Sequence, residues 1–170
     1  MEITSKLYEP ALILTVRMDE ASQNYFNVLR TQYFPPERNF LNAHLTMFHK
    51  LPDTPEVPAK VASAVGAPFT MQITGLINLG AGVAFRIESE ILKRLRSDLV
   101  ILFIDDLSAQ DRQGFRSHIT VSNKTSAEIA RKLLEELYLD FKPFEVRALG
   151  LDIWRYLGGP WQHIDFIAFR

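Results

Sequence analysis

The sequence predicts an α+β fold built from a duplicated unit. Short runs of alternating apolar residues, the pattern of half-buried strands, are interleaved with apolar stripes at helical spacing. The stretch Ala43-His44-Leu45-Thr46-Met47-Phe48 returns as Ser117-His118-Ile119-Thr120-Val121-Ser122. Each copy is followed by a helical pattern and then by two strands joined through glycines, which is the signature of an antiparallel hairpin.

Taken in order, Ala11 to Val16 is a strand, and Asp19 caps a helix that turns Ala21, Tyr25, Val28 and Leu29 towards the core. That helix stops before Phe34-Pro35-Pro36, because the two prolines lack amide donors and force extended backbone. A loop from Pro35 to Leu41, containing Arg38, leads into the first His-x-Thr strand. After the turn-rich Pro52 to Pro58, the residues Val57, Val61, Ala62 and Val65 mark a helix ending at Gly66. Phe69, Met71, Ile73 and Gly75 then alternate with polar residues, and Gly80-Ala81-Gly82 turns the chain into Val83 to Ile87. Ile91, Leu92, Leu95 and Leu99 stripe the next helix, and Asp105 to Arg116 is a polar loop before the second His-x-Thr strand. Thr125 or Ser126 caps a helix carrying Ile129, Leu133, Leu134 and Leu137. Phe144 to Ile153, a Gly158-Gly159-Pro160 turn and Gln162 to Phe169 make the closing hairpin.

A chain of 170 residues supports one sizeable core, so 1–170 is read as a single domain with repeat units at about 43–88 and 117–169. Gly75-Leu76 stands 31 residues after His44 and Gly150-Leu151 stands 32 after His118, so the registers agree to one residue. Two copies suit a duplication rather than a solenoid, which needs about three or more. Such units pack with pseudo-two-fold symmetry, which sets His44 and Thr46 opposite His118 and Thr120 across a shared cleft.

Composition narrows the function. The 19 basic residues are offset by 20 acidic ones, so a nucleic-acid partner is short or met at one end rather than tracked along its length. With no cysteine there is no disulfide, thiol nucleophile or thiolate metal site. Met1 to Lys6 lacks a basic lead into an apolar run, and no stretch has the length of a spanning helix; the expectation is a cytoplasmic monomer with no membrane partner.

The paired strands carry the chemistry. Two histidines across a cleft supply a base and an acid near neutral pH, since an unperturbed imidazole titrates near 6.5. Two threonine hydroxyls on the same faces donate to an oxyanion between them. The arrangement suits a phosphodiester, with one histidine taking a proton from the attacking oxygen and the other giving one to the departing oxygen.

These residues resemble the 2H phosphoesterase superfamily, in particular bacterial 2′-5′ RNA ligase-like proteins; the likeness rests on His44-Leu45-Thr46 and His118-Ile119-Thr120 and runs from Ala11 to the last hairpin. The resemblance implies a two-lobed α+β fold with antiparallel sheets flanking a central cleft and helices packed outside. It implies metal-free hydrolysis, without a cofactor, of 2′,3′-cyclic phosphates or 2′-5′ linkages in small nucleotides or at RNA ends, reversible as 2′-5′ ligation. His44, His118, Thr46 and Thr120 are then the catalytic set. Family members often carry a basic residue soon after the second motif; here Asn123-Lys124 follows Ser122, so Lys124 is a candidate phosphate contact.

Arg116 and Lys50 are further candidate cations, Lys50 reaching only the rim. Phe48 continues the face of His44 and Thr46, and Tyr33, Trp154 and Tyr156 stand near strand ends; such rings either stack a nucleobase or pack the core. His49, at an odd offset from His44, faces away on a regular strand, so the two cannot share a metal. His163 has no partner motif, and both are read as structural or surface residues. The competing reading of the cleft is a binding module that holds a nucleotide or phosphorylated ligand without turnover.

Overall fold

The structure is a computed structural model that describes residues 9–170, so the expectation for Met1 to Lys6 lies outside the described residues. Eleven α-helices and strands follow one another among the described residues, with a short 3-10 helix at Pro36–Arg38 after the first α-helix: β1 (Ala11–Met18), α1 (Glu20–Tyr33), β2 (Leu45–Pro52), α2 (Val57–Ala64), β3 (Phe69–Asn78), β4 (Val83–Glu88), α3 (Glu90–Leu102), β5 (His118–Ser122), α4 (Ala127–Asp140), β6 (Phe144–Tyr156) and β7 (Trp161–Ala168). The fold is α+β. The order strand, helix, strand, helix, strand occurs twice, from Ala11 to Asn78 and from Val83 to Tyr156, with a His-x-Thr stretch at the middle strand each time.

The strand pairs are antiparallel and run β2-β1-β6-β3-β4-β5, with β7 also on β6. The sheet forks at β6. Phe144 to Ala148 of that strand pair with β3, Gly150 to Tyr156 pair with β7, and β1 holds the opposite edge. Gly150 stands where the partner changes: a Cβ there would collide with the Phe166 ring and lie 2.6 Å from the Ile167 oxygen, so only glycine permits the approach. The two sheets expected at the cleft are therefore wings of one sheet, with β2 and β5 as its outer strands.

Side chains at the helix starts set the corners. Asp19 Oδ1 accepts from the Ser22 amide at 2.9 Å, Ser89 Oγ from Leu92 at 3.1 Å and Ser126 Oγ from Ile129 at 3.2 Å. Each such cap contributes roughly 0.5–2 kcal/mol. Asp19 also accepts from the Arg147 amide, tying the β1–α1 corner to β6.

Phe26 of α1 packs at the centre of the β3-β4-β5 wing, its ring centroid 5.3 Å from Phe85 and 6.0 Å from Phe144. The buried face of α1 is Phe26 and Arg30, whereas Tyr25 and Val28, expected inside, are 47% and 64% exposed. The helix is turned from its expected setting because a guanidinium occupies a core position. On the other wing Phe48 of β2 meets Phe103, the residue that ends α3. Thus α1, which follows β1, packs against β5, while α3, which follows β4, reaches β2. Among the described residues no helix is long and apolar enough to cross a membrane.

Candidate active site

The two His-x-Thr stretches meet at one cleft. His44 directly precedes β2 and His118 opens β5, and buried Leu45, Met47, Ile119 and Val121 anchor the two strands in the core. His44, Thr46, His118 and Thr120, each half-buried, line a cavity of about 340 Å³.

Both imidazoles are held by the same local device. Nδ1 of His44 donates to the Asn42 carbonyl and Nδ1 of His118 to the Arg116 carbonyl, each at 2.8 Å and two residues upstream. A carbonyl can only accept, so Nδ1 carries the proton and Nε2 is left as the second nitrogen of each ring. Burial pushes His44 down to about 4; the Asn42 carbonyl opposes that shift, while the charges of Arg30, His118 and His49 add to it. His44 is a neutral imidazole at pH 7.

β2 is irregular, and this corrects two expectations. Thr15 pairs with Thr46 but Leu14 pairs with Phe48, so Met47 is an extra residue; a second shift follows before Leu12 pairs with Leu51. A bulge reverses which face later residues take. Phe48, expected on the cleft face as a substrate contact, is fully buried against Phe103, with the Arg96 guanidinium 4.0 Å from its ring centre. His49, expected to face away, lines the cleft. Its amide and Nδ1 bond the Asp111 carboxylate at 2.9 and 3.1 Å, and the Lys50 amide does so at 2.9 Å. Burial alone would raise the Asp111 carboxyl, but these bonds outweigh it and hold the group below the usual carboxylate range.

Arg116 lines the same cleft. Lys124 and Tyr156 do not; both line an adjoining cavity of about 710 Å³ that shares His44 and Thr120 with it. Lys50 is drawn off by Glu9 at 2.7 Å. Tyr33 bonds Glu136, and the Trp154 indole donates to Thr15. His163 lies outside the cleft and bonds Asp152 at 2.8 Å, beside the Arg17 pair on the same carboxylate. Among the described residues no group of three or more His, Asp or Glu side chains is arranged to hold a metal ion.

A family model described as the 2′-5′ RNA ligase superfamily matches residues 18–160. The chain belongs to that superfamily. It is a 2H phosphoesterase superfamily member, and so a phosphoesterase- or ligase-type enzyme. The protein TT0787 of Thermus thermophilus matches with a TM-score of 0.65 at 18% identity, over 94% of this chain and 98% of that one. E. coli LigT, solved with 3′-AMP, matches at 0.62 and 16%, over 95% and 99%. A structure described as a phosphoesterase matches at 0.62 and 15%, over 95% and 99%. At these identities the likeness is one of fold. No curated protein matches the chain.

Besides Asp111, the sequence reading missed Trp161 and Arg96 at the cleft and Arg30 at the adjoining cavity. Trp161, which opens β7, stands with its ring 4.8 Å from that of His44. Arg96 of α3 donates to the Met47 carbonyl at 2.8 Å and the Asp111 carbonyl at 2.7 Å. Arg30 of α1 donates to the Thr120 carbonyl at 3.3 Å and to Asn39 at 3.1 Å. Each helix thus braces the His-x-Thr strand that the other one precedes. Among the described residues neither guanidinium is within ion-pair distance of a carboxylate and both are buried; the Asp111 carboxylate acts electrostatically on Arg96, the one of the two that lines the cleft. No local pattern flags a buried arginine, because its partners are backbone carbonyls far along the chain.

Proposed function

We propose that this protein is a metal-independent phosphoesterase that opens 2′,3′-cyclic phosphates or cleaves 2′-5′ phosphodiesters in small nucleotides or at RNA ends. The observation that carries the reading is the matched tethering of His44 and His118, which leaves two Nε2 atoms as proton acceptor and donor at one cleft.

His44 is the general base, since its Nε2 is unprotonated at neutral pH. It takes a proton from water as the water oxygen bonds to phosphorus. His118, protonated at Nε2, gives its proton to the ribose oxygen as the phosphorus–oxygen bond to that oxygen breaks. Thr46 and Thr120 hydrogen-bond the non-bridging oxygens, and the charges of Arg96 and Arg116 favour the added negative charge of the transition state. With a 5′-hydroxyl in place of water the same groups keep their roles and ligate: His44 takes the hydroxyl proton as that oxygen bonds to phosphorus, and His118 gives its proton to the ribose 3′-oxygen as the bond from that oxygen to phosphorus breaks, leaving a 2′-5′ linkage. E. coli LigT, which shares the fold, was solved with the nucleotide 3′-AMP.

Incubation with adenosine 2′,3′-cyclic phosphate and with 2′-5′-linked diadenosine, with and without a chelator, tests the reading. Chelator-insensitive product from either supports it. Saturable calorimetric binding of the cyclic nucleotide with no product would establish the binding-module alternative instead.

A further inference from the structure

The cavity of about 710 Å³ beside the cleft has a charge that its surroundings do not balance. Arg30, Arg38 and Lys124 line it, and no aspartate or glutamate among the described residues does. The cavity on the other side of His44, about 560 Å³, contains Glu20 and Asp152 with Arg17, and Asp152 engages Arg17 in two hydrogen bonds. The one beyond His49 pairs Lys50 with Glu9. In a chain whose formal net charge is −1, three cations lining one cavity without a carboxylate give it a positive field that favours an anion.

Two of the three are built into place. Arg30 is 4% exposed, its guanidinium 4.2 Å from the Phe34 ring centre and bonded to Thr120 and Asn39. Lys124 adopts φ 59°, the left-handed region that non-glycine residues rarely enter. The Asn123 side chain accepts from its amide at 2.8 Å and fixes the turn that follows β5.

We propose that this cavity binds a second phosphate of the substrate, one nucleoside removed from the phosphate on which the histidines act. The proposal rests on the phosphoesterase reading for what occupies the neighbouring cleft. His44 and Thr120 form the wall between the two sites, so one ligand can span them. Phe40, 79% exposed, and Tyr156 line the same space and give aromatic surface for the intervening nucleoside. The substrate class is a nucleotide with phosphate at two positions. The second is either a terminal 5′-phosphate or the internucleotide phosphate of an RNA end; both offer the same non-bridging oxygens to arginine and lysine.

Calorimetry on the whole chain tests this without requiring turnover. The ligands are adenosine 2′-monophosphate, adenosine 2′,5′-bisphosphate and a diadenosine ending in a 2′-phosphate. The wild type should bind at least one two-phosphate ligand about tenfold or more tightly than the monophosphate, the increment of one charge-assisted hydrogen bond. Which ligand gains identifies the phosphate as terminal or bridging. The double variant Arg38→Gln, Lys124→Gln, checked for an unchanged melting transition, should reduce that preference to about twofold or less. Equal affinity for all three ligands in the wild type, or a preference that survives the double substitution, overturns the proposal. A preference without hydrolysis of any cyclic phosphate would sink the phosphoesterase reading while upholding the subsite.

Discussion

Arg96 and Met47, on different elements, share a 2.8 Å hydrogen bond in which the Arg96 Nε donates to the Met47 carbonyl. Met47 is the extra residue of the first bulge in β2 and has no register partner on β1. A bulge leaves backbone groups outside the ladder, and here a buried guanidinium satisfies one of them. The bulge in turn brings His49 to the cleft and sends Phe48 to the core. Replacing Arg96 with Met would strand the carbonyls of Met47 and Asp111, at about 1–3 kcal/mol each. Urea denaturation should show a loss of that size, with Arg96→Lys intermediate because lysine cannot bridge both oxygens.

The low value of His44 has two consequences with pH. For activity, the base must be unprotonated, so the acidic limb of kcat/KM should fall near pH 4 rather than 6.5. For stability, the imidazole binds a proton more readily unfolded than folded. Lowering the pH from the ordinary 6.5 towards about 4 therefore favours unfolding, and the loss is complete below the folded value. Denaturation of wild type and His44→Gln across a range from about pH 3.5 to 7.5 should show the variant losing less stability over that window. Identical pH dependence would mean that the imidazole is not desolvated.

Gly82 controls the second His-x-Thr strand from the β3–β4 turn. A Cβ at this position would collide with the Ser122 carbonyl oxygen and lie 2.5 Å from the Asn123 Cα, both backbone atoms that cannot rotate away. Gly82→Ala should cost at least the roughly 1–3 kcal/mol of an overpacked site. It should also lower kcat, because relief of the clash shifts the end of β5. Gly80→Ala is the control for backbone entropy at a glycine with open space, although its φ of 86° adds strain. The two should therefore separate in kcat more than in melting temperature.

Much of this fold was legible because its signals are local. Asp19 and Ser126 cap their helices, Phe34-Pro35 ends α1, and the glycine turns join the hairpins. Both histidines and both threonines reach one cleft because the alternation holds over Leu45 to Met47 and Ile119 to Val121. The readings failed where a distant contact set the outcome. Phe48 and His49 change faces at a bulge stabilised by a helix about fifty residues away, an interaction no window around β2 contains. Arg30 displaced the expected core face of α1, since the partner that makes its burial tolerable is the carbonyl of Thr120. Asp111 lies in a loop whose sequence is merely polar, and its role comes from bonds to three donors on His49 and Lys50.

The most direct test of the account is single-turnover hydrolysis of adenosine 2′,3′-cyclic phosphate by the wild type, His44→Ala and His118→Ala, with melting transitions confirmed intact. If His44 is the base and His118 the acid, each substitution should slow the chemical step by about 10²- to 10⁴-fold, and the double variant by far less than the product of the two. A wild-type rate in either single variant would contradict the account.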